Sequence, residues 1–97
     1  MNKSFTYNFP EIKEFSFNSQ MGKIIEECNE VSDEHAKAVC AMFKGADYPV
    51  GDLVFEIMDL IHACETMLRT LNLSEQDLSK YRYLVEMKNR ERGYYKE

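Results

Sequence analysis

Two long stretches of apolar residues at helical spacing, separated by a single breaker, most constrain what this chain can fold into. In the first, Met21, Ile24, Ile25, Cys28, Val31, Ala38, Val39, Met42 and Phe43 recur with a 3.6-residue period. In the second, Leu53, Ile57, Leu60, Ile61, Cys64, Met67, Leu68 and Leu71 do the same. Between them, "KGADYPVGD" (44–52) holds two glycines, a proline and two aspartates. The pattern predicts a helix over about 19–44, capped by Asn18 or Ser19, and a second over about 52–71. "SEQD" (74–77) is a capping box that opens a third helix to about residue 91, with Leu78, Tyr81, Leu84 and Val85 along it and Gly93 as its stop. The expected fold class is all-α, a helical hairpin plus a C-terminal helix.

The second helix also carries Phe55, Met58 and His62 on its other side, so it is apolar most of the way round. A helix of that kind needs a second packing surface. At 97 residues the chain is near the lower end of what buries an independent core. A four-helix-type bundle formed on oligomerisation, as a homodimer or homotetramer, is therefore expected. Residues 1–17 are aromatic and irregular, interrupted by Pro10, and are expected to form an arm that packs Tyr7, Phe9, Phe15 and Phe17 onto the body.

Composition narrows the function classes. A net charge of −5 disfavours nucleic acid as a partner, since phosphates call for a basic face. Only the tail "KNRERGYYK" (88–96) is basic. Cys28, Cys40 and Cys64 form no C-x-x-C pair, and His35 and His62 do not complete a zinc spacing. Buried free thiols in a reducing cytosol are expected, with His35 a hydrogen-bonded core histidine within the first stripe. No stretch reads as a signal peptide or a membrane span, so a cytoplasmic protein is expected, with no membrane partner.

The acids beside these stripes carry the chemistry. Glu27 and Glu30, three residues apart, project from one face of the first helix, with Glu34 continuing their row. Glu27 flanks the apolar stripe, Glu30 lies one step further round, and Glu26 is rotated away. Glu56 and Asp59 repeat the arrangement on the second helix. Packing the stripes together, within a hairpin or across a subunit boundary, would bring both pairs close. Four carboxylates so placed repel one another unless a cation sits among them. Oxygen ligands without Cys or His select Mg²⁺, Mn²⁺ or Ca²⁺ over zinc.

Glu26-Glu27-Cys28-Asn29-Glu30, followed by a spacer and Glu56-Ile57-Met58-Asp59, resembles the E-E-x-x-E and E-x-x-D signature of the all-α nucleoside triphosphate pyrophosphohydrolases, the MazG-like superfamily. "KNRERGYY" (88–95) is similar to the K-N-x-x-R-G ending of many small members. The resemblance spans about residues 20 to 95, which divides the chain into an arm (1–17) and a single MazG-like helical domain (18–97). It implies Mg²⁺-dependent hydrolysis, with Mn²⁺ as a substitute, of a nucleoside triphosphate to its monophosphate and pyrophosphate. It also implies a dimer or tetramer. Glu27, Glu30, Glu56 and Asp59 would be the metal ligands. Glu26 or Glu27 would activate water, and Lys88, Asn89 and Arg92 would contact substrate phosphates. The chain departs from the group in its polar "SDEH" (32–35) and in lacking an extra acid beside Glu56.

Two rivals stand beside that expectation. One is a non-catalytic helical oligomerisation or interaction module with a structural cation site. The other is a superfamily relative dedicated to one substrate, such as dUTP, dCTP or phosphoribosyl-ATP, its base choice set by a pocket lined in part by Phe15 or Phe17.

Overall fold

The computed structural model describes residues 7–96; the first six residues of the expected arm lie outside them. Three helices and no strand occur among the described residues: α1 (Phe17–Lys44), α2 (Val50–Thr70) and α3 (Glu75–Glu91). The chain divides into two compact units. One is Phe9–Thr70, which holds α1, α2 and the segment leading into α1; the region from Leu71 onward belongs to the other.

The start of α1 is a correction to the expected caps. Ser16, in extended conformation, is the N-cap. Its hydroxyl accepts from the Ser19 backbone N–H at 3.1 Å, and the Ser19 hydroxyl accepts from the Ser16 N–H at 2.9 Å. Ser19 thus serves as the reciprocal partner inside the first turn rather than as the cap, and the helix begins at Phe17. At the other end Gly45 sits in the left-handed region at φ 65°, and the N–H groups of Gly45 and Ala46 close back onto the carbonyls of Met42 and Ala41. Pro49 then stands immediately before α2, where its fixed φ and missing N–H cost nothing.

α1 and α2 pack antiparallel. The Gln20 amide donates to the Ala63 carbonyl at 2.9 Å near one end, and the Tyr48 hydroxyl donates to Glu34 at 2.7 Å near the other. The seam takes in only part of the apolar stripe. Gln20, Glu27 and Glu34, seven residues apart in turn, are the buried side chains of α1. Ile24, Val31, Ala38 and Val39 are half-buried, whereas Met21, Ile25, Met42 and Phe43 are exposed, Phe43 by 88%. The expected thiol burial is corrected likewise: Cys28 and Cys40 are exposed and Cys64 is half-buried, although all three are free. His35 is exposed rather than a core histidine. One partner helix can cover only one face of α1, and the rest of the stripe turns outward. On α2 the buried residues are Ala63, Glu65, Thr66 and Met67, with Val54, Phe55 and Ile57 exposed.

The segment before α1 is fastened to α2. The Phe9 ring stacks on the His62 imidazole at 4.7 Å, and the Phe9 N–H donates to the Glu65 carboxylate at 2.8 Å. Phe15 and Phe17 remain exposed.

In the second unit, Ser74 caps α3 and Asp77 completes the capping box, as the sequence signature indicates. Arg92 is the C-cap, and Gly93 takes the left-handed φ of 73°.

Candidate metal centre

Glu27 and Glu30 on α1 and Glu56 and Asp59 on α2 come together across the seam. One carboxylate oxygen from each lies within 4.8 Å of the others. The antiparallel packing does this directly: i, i+3 pairs on facing helices meet when the same level of the seam passes between them. Glu27 is 2% exposed, and the other three are half-buried.

The electrostatics of this cluster are unresolved by protein groups. Glu27 Oε1 receives the Lys23 ammonium at 2.8 Å. Glu27 Oε2 and Glu56 Oε2 are buried and have no hydrogen-bond partner. A buried acceptor left unsatisfied costs its full desolvation, more so when charged. Glu30 is more readily protonated than a free carboxylate. Its carboxyl is pushed up to about 7, first by the hydrogen bond it shares with Glu56, then by burial and by the neighbouring charges of Glu27 and Glu56. The donor set suits a hard divalent cation: four carboxylates, no sulfur or imidazole within the group, and two buried oxygens without a partner.

The other residues singled out from sequence take different places. Glu26 is outside the cluster, exposed, 3.7 Å from the Lys23 ammonium. Lys88, Asn89 and Arg92 occupy the last turn of α3 and its cap in the second unit, where the Lys88 and Asn89 carbonyls accept from the Arg92 and Tyr94 N–H groups. Sequence reasoning passed over Lys23 and Gln20. Gln20 carries no charge signal, but Lys23 stands four residues before Glu27, a spacing visible in the sequence.

Glu34, which continues the Glu27–Glu30 row, belongs to a separate arrangement. Lys37 donates to its Oε1 at 3.2 Å and Tyr48 to its Oε2 at 2.7 Å. Its carboxyl is held below the usual range by Tyr48 and then by Lys37. The Tyr48 phenol is pushed up to about 12 by burial and by that same bond.

Two small cavities open in the same unit. One, of about 130 Å³, is lined by Ile12, Lys23, Glu27, Asp59 and His62, among others. The second, of about 120 Å³, is lined by Glu11, Ile12, Phe15, Thr66 and Arg69. His62 Nε2 is buried with no hydrogen-bond partner.

Compared with protein-family models, with curated proteins and with solved structures, the chain gives no match. Among the described residues, no helix is long and apolar enough to cross a membrane.

Proposed function

We propose that this protein is a Mg²⁺-dependent nucleoside triphosphate pyrophosphohydrolase of the MazG-like kind, releasing a nucleoside monophosphate and pyrophosphate. The observation that carries this reading is Glu27, a carboxylate 2% exposed whose Oε2 has no protein partner and which meets three further carboxylates. A buried, unpaired acid beside three others is a poor way to stabilise a hairpin and a good way to hold a cation. The acid spacing and the tail motif on the same chain favour nucleotide hydrolysis over a purely structural ion.

In this reading Glu27, Glu30, Glu56 and Asp59 would hold the cation through their oxygens, and Glu30 would do so in its deprotonated form. A bound Mg²⁺ supplies polarisation of the phosphoryl oxygens, a more acidic water and charge neutralisation for the triphosphate. Glu26 and Glu27 are the two carboxylates assigned to orienting that water. Lys88, Asn89 and Arg92, in the other unit, are the residues to which the tail motif would assign substrate phosphates. The exposed apolar positions on α1 and α2, Phe43 and Phe55 above all, support self-association as a homodimer or homotetramer.

Those same exposed residues also favour a second reading, an interaction module in which the cation is structural. The experiment that separates the two is pyrophosphate release from a panel of ribo- and deoxyribonucleoside triphosphates, with and without Mg²⁺, beside a Glu56→Ala control. Metal-dependent release lost in the variant is the expected result. Cation binding without release from any nucleotide would favour the module.

A further inference from the structure

Among the described residues, Lys23 pairs its ammonium with the carboxylate cluster. It bonds Glu27 Oε1 at 2.8 Å while its side chain remains half exposed. A Lys four residues before a Glu is the less favourable order of a helical i, i+4 pair. Lys23 and Glu27 also line the same cavity of about 130 Å³, together with Asp59, His62 and Ile12 from the segment before α1. The ammonium therefore stands between an acid centre that would hold a cation and an open space beside it.

We infer that Lys23 is a placeholder for the cation, which on loading leaves Glu27 and turns into the adjoining cavity to bind a phosphate group of the substrate. The inference rests on the proposed cation site. Its physical basis is competition for one carboxylate. A divalent ion bonded to Glu27 repels an ammonium held at the same group and outcompetes it by charge. Lys23 is tethered by a flexible stem with half its side chain in solvent, so it can swing without rearranging the helix. The cavity receiving it has Glu27 and Asp59 on its wall, so an anion entering there is repelled until the cation and the freed ammonium are both in place. Anion binding is thereby made conditional on cation binding. Among the described residues, no other lysine or arginine lines this cavity.

This device has a signature that a merely structural salt bridge lacks, because removing Lys23 shifts two affinities in opposite directions. The test is calorimetric titration of the full chain with Mn²⁺, then of the Mn²⁺-loaded chain with inorganic pyrophosphate, for wild type, Lys23→Met and Lys23→Arg. Helical content by circular dichroism serves as the folding control. In Lys23→Met, Mn²⁺ is expected to bind several-fold more tightly, its competitor gone. Pyrophosphate is expected to bind roughly 10- to 100-fold more weakly, the loss of one charged hydrogen-bonding contact. Lys23→Arg, which keeps the charge, restores most of the pyrophosphate affinity. Unchanged Mn²⁺ and pyrophosphate affinities in a folded Lys23→Met protein would overturn the inference and leave the cation site intact. Weaker Mn²⁺ binding in that variant would also overturn it, since Lys23 would then be supporting Glu27 rather than occupying the cation's place. Failure of the wild-type chain to bind Mn²⁺ at all would sink the proposed function and this inference with it.

Discussion

Glu27 and Glu34 stand two turns apart on the same helix, both buried against the hairpin, and they illustrate opposite ways of burying an acid. Each oxygen of Glu34 has a donor, Lys37 on one side and Tyr48 on the other, and its carboxyl is held below the usual range. Glu27 has one donor, Lys23, and faces three more carboxylates with its second oxygen unmatched. Burial alone therefore does not separate an acid satisfied within the chain from one left short of donors. The balance of donors around it does. Glu34 is complete within the chain and fastens the interhelical loop to α1; the Glu27 cluster is short of positive charge.

The sharpest way to break this contrast is to neutralise each acid in turn. Glu27→Gln is expected to abolish Mg²⁺ or Mn²⁺ binding and to reduce pyrophosphate release by more than about 100-fold, beyond what loss of an outer-shell partner costs. Glu34→Gln is expected to leave cation affinity within a few-fold of wild type. Titration calorimetry and pyrophosphate release measure both. Equal losses in the two variants would erase the distinction.

A smaller but more general effect should appear in thermal unfolding. Mg²⁺ at about 100 times its Kd stabilises a protein that binds it only when folded by about 2.7 kcal/mol. Wild type and Glu34→Gln are expected to show the corresponding rise in Tm over chelator-treated samples, and Glu27→Gln to show none.

The two regions also have opposite pH dependence. Glu30 keeps its proton up to about 7 when folded, against a usual carboxylate value of 4.5. Between those values the folded chain binds a proton that the unfolded chain has released, so cation-free stability falls as pH rises and the full penalty is present above 7. Glu34, held below 4.5, works the other way: its contribution is present above that value and is lost as pH falls through its folded pKa. Without cation, Tm is expected to decrease from about pH 5 to pH 8 and to drop again in stronger acid. Saturating Mg²⁺, by taking the proton's place, should remove the first slope and leave the second. Glu30→Gln should also remove the first slope, and a slope that persists in that variant would take Glu30 out of the account.

How far the sequence revealed this follows the range over which each feature is decided. The Ser74–Asp77 capping box is settled within four residues and was readable at once. Helix type for α1 and α2 rests on periodicity sustained over many turns, with a breaker containing Gly45 and Pro49 between them. The acid pairs could be placed on helix faces by counting, and the hairpin brings them together. What counting could not give was the face of α1 that meets α2. The apolar stripe outweighed Gln20, Glu27 and Glu34 in the periodicity, yet those three lie in the seam, because burial depends on the partner surface rather than on the helix alone. His35 and the exposed thiols were misplaced for the same reason. Glu34 was indistinguishable from Glu30 in sequence, since its deciding partner, Tyr48, arrives 14 residues later from the loop.

That partner offers the finest test of the comparison. Two groups satisfy Glu34, and they differ in setting. The Lys37 side chain is 68% exposed and its bond is 3.2 Å long, whereas Tyr48 is half-buried and donates at 2.7 Å. Exposed ion pairs are weakened by solvent and salt, so Lys37→Met is expected to change Tm little and to lose even that effect in high salt. Tyr48→Phe removes the shorter and better-shielded bond and leaves Glu34 Oε2 without its donor, so it is expected to lower Tm more than Lys37→Met at any salt concentration. It should also move the acid loss of stability to higher pH, because Tyr48 is the larger cause of the depressed Glu34 carboxyl. Neither substitution touches the four clustered carboxylates, so cation affinity should stay as in wild type. A Tyr48→Phe protein that bound Mn²⁺ differently would mean that the loop end and the carboxylate cluster are coupled through α1.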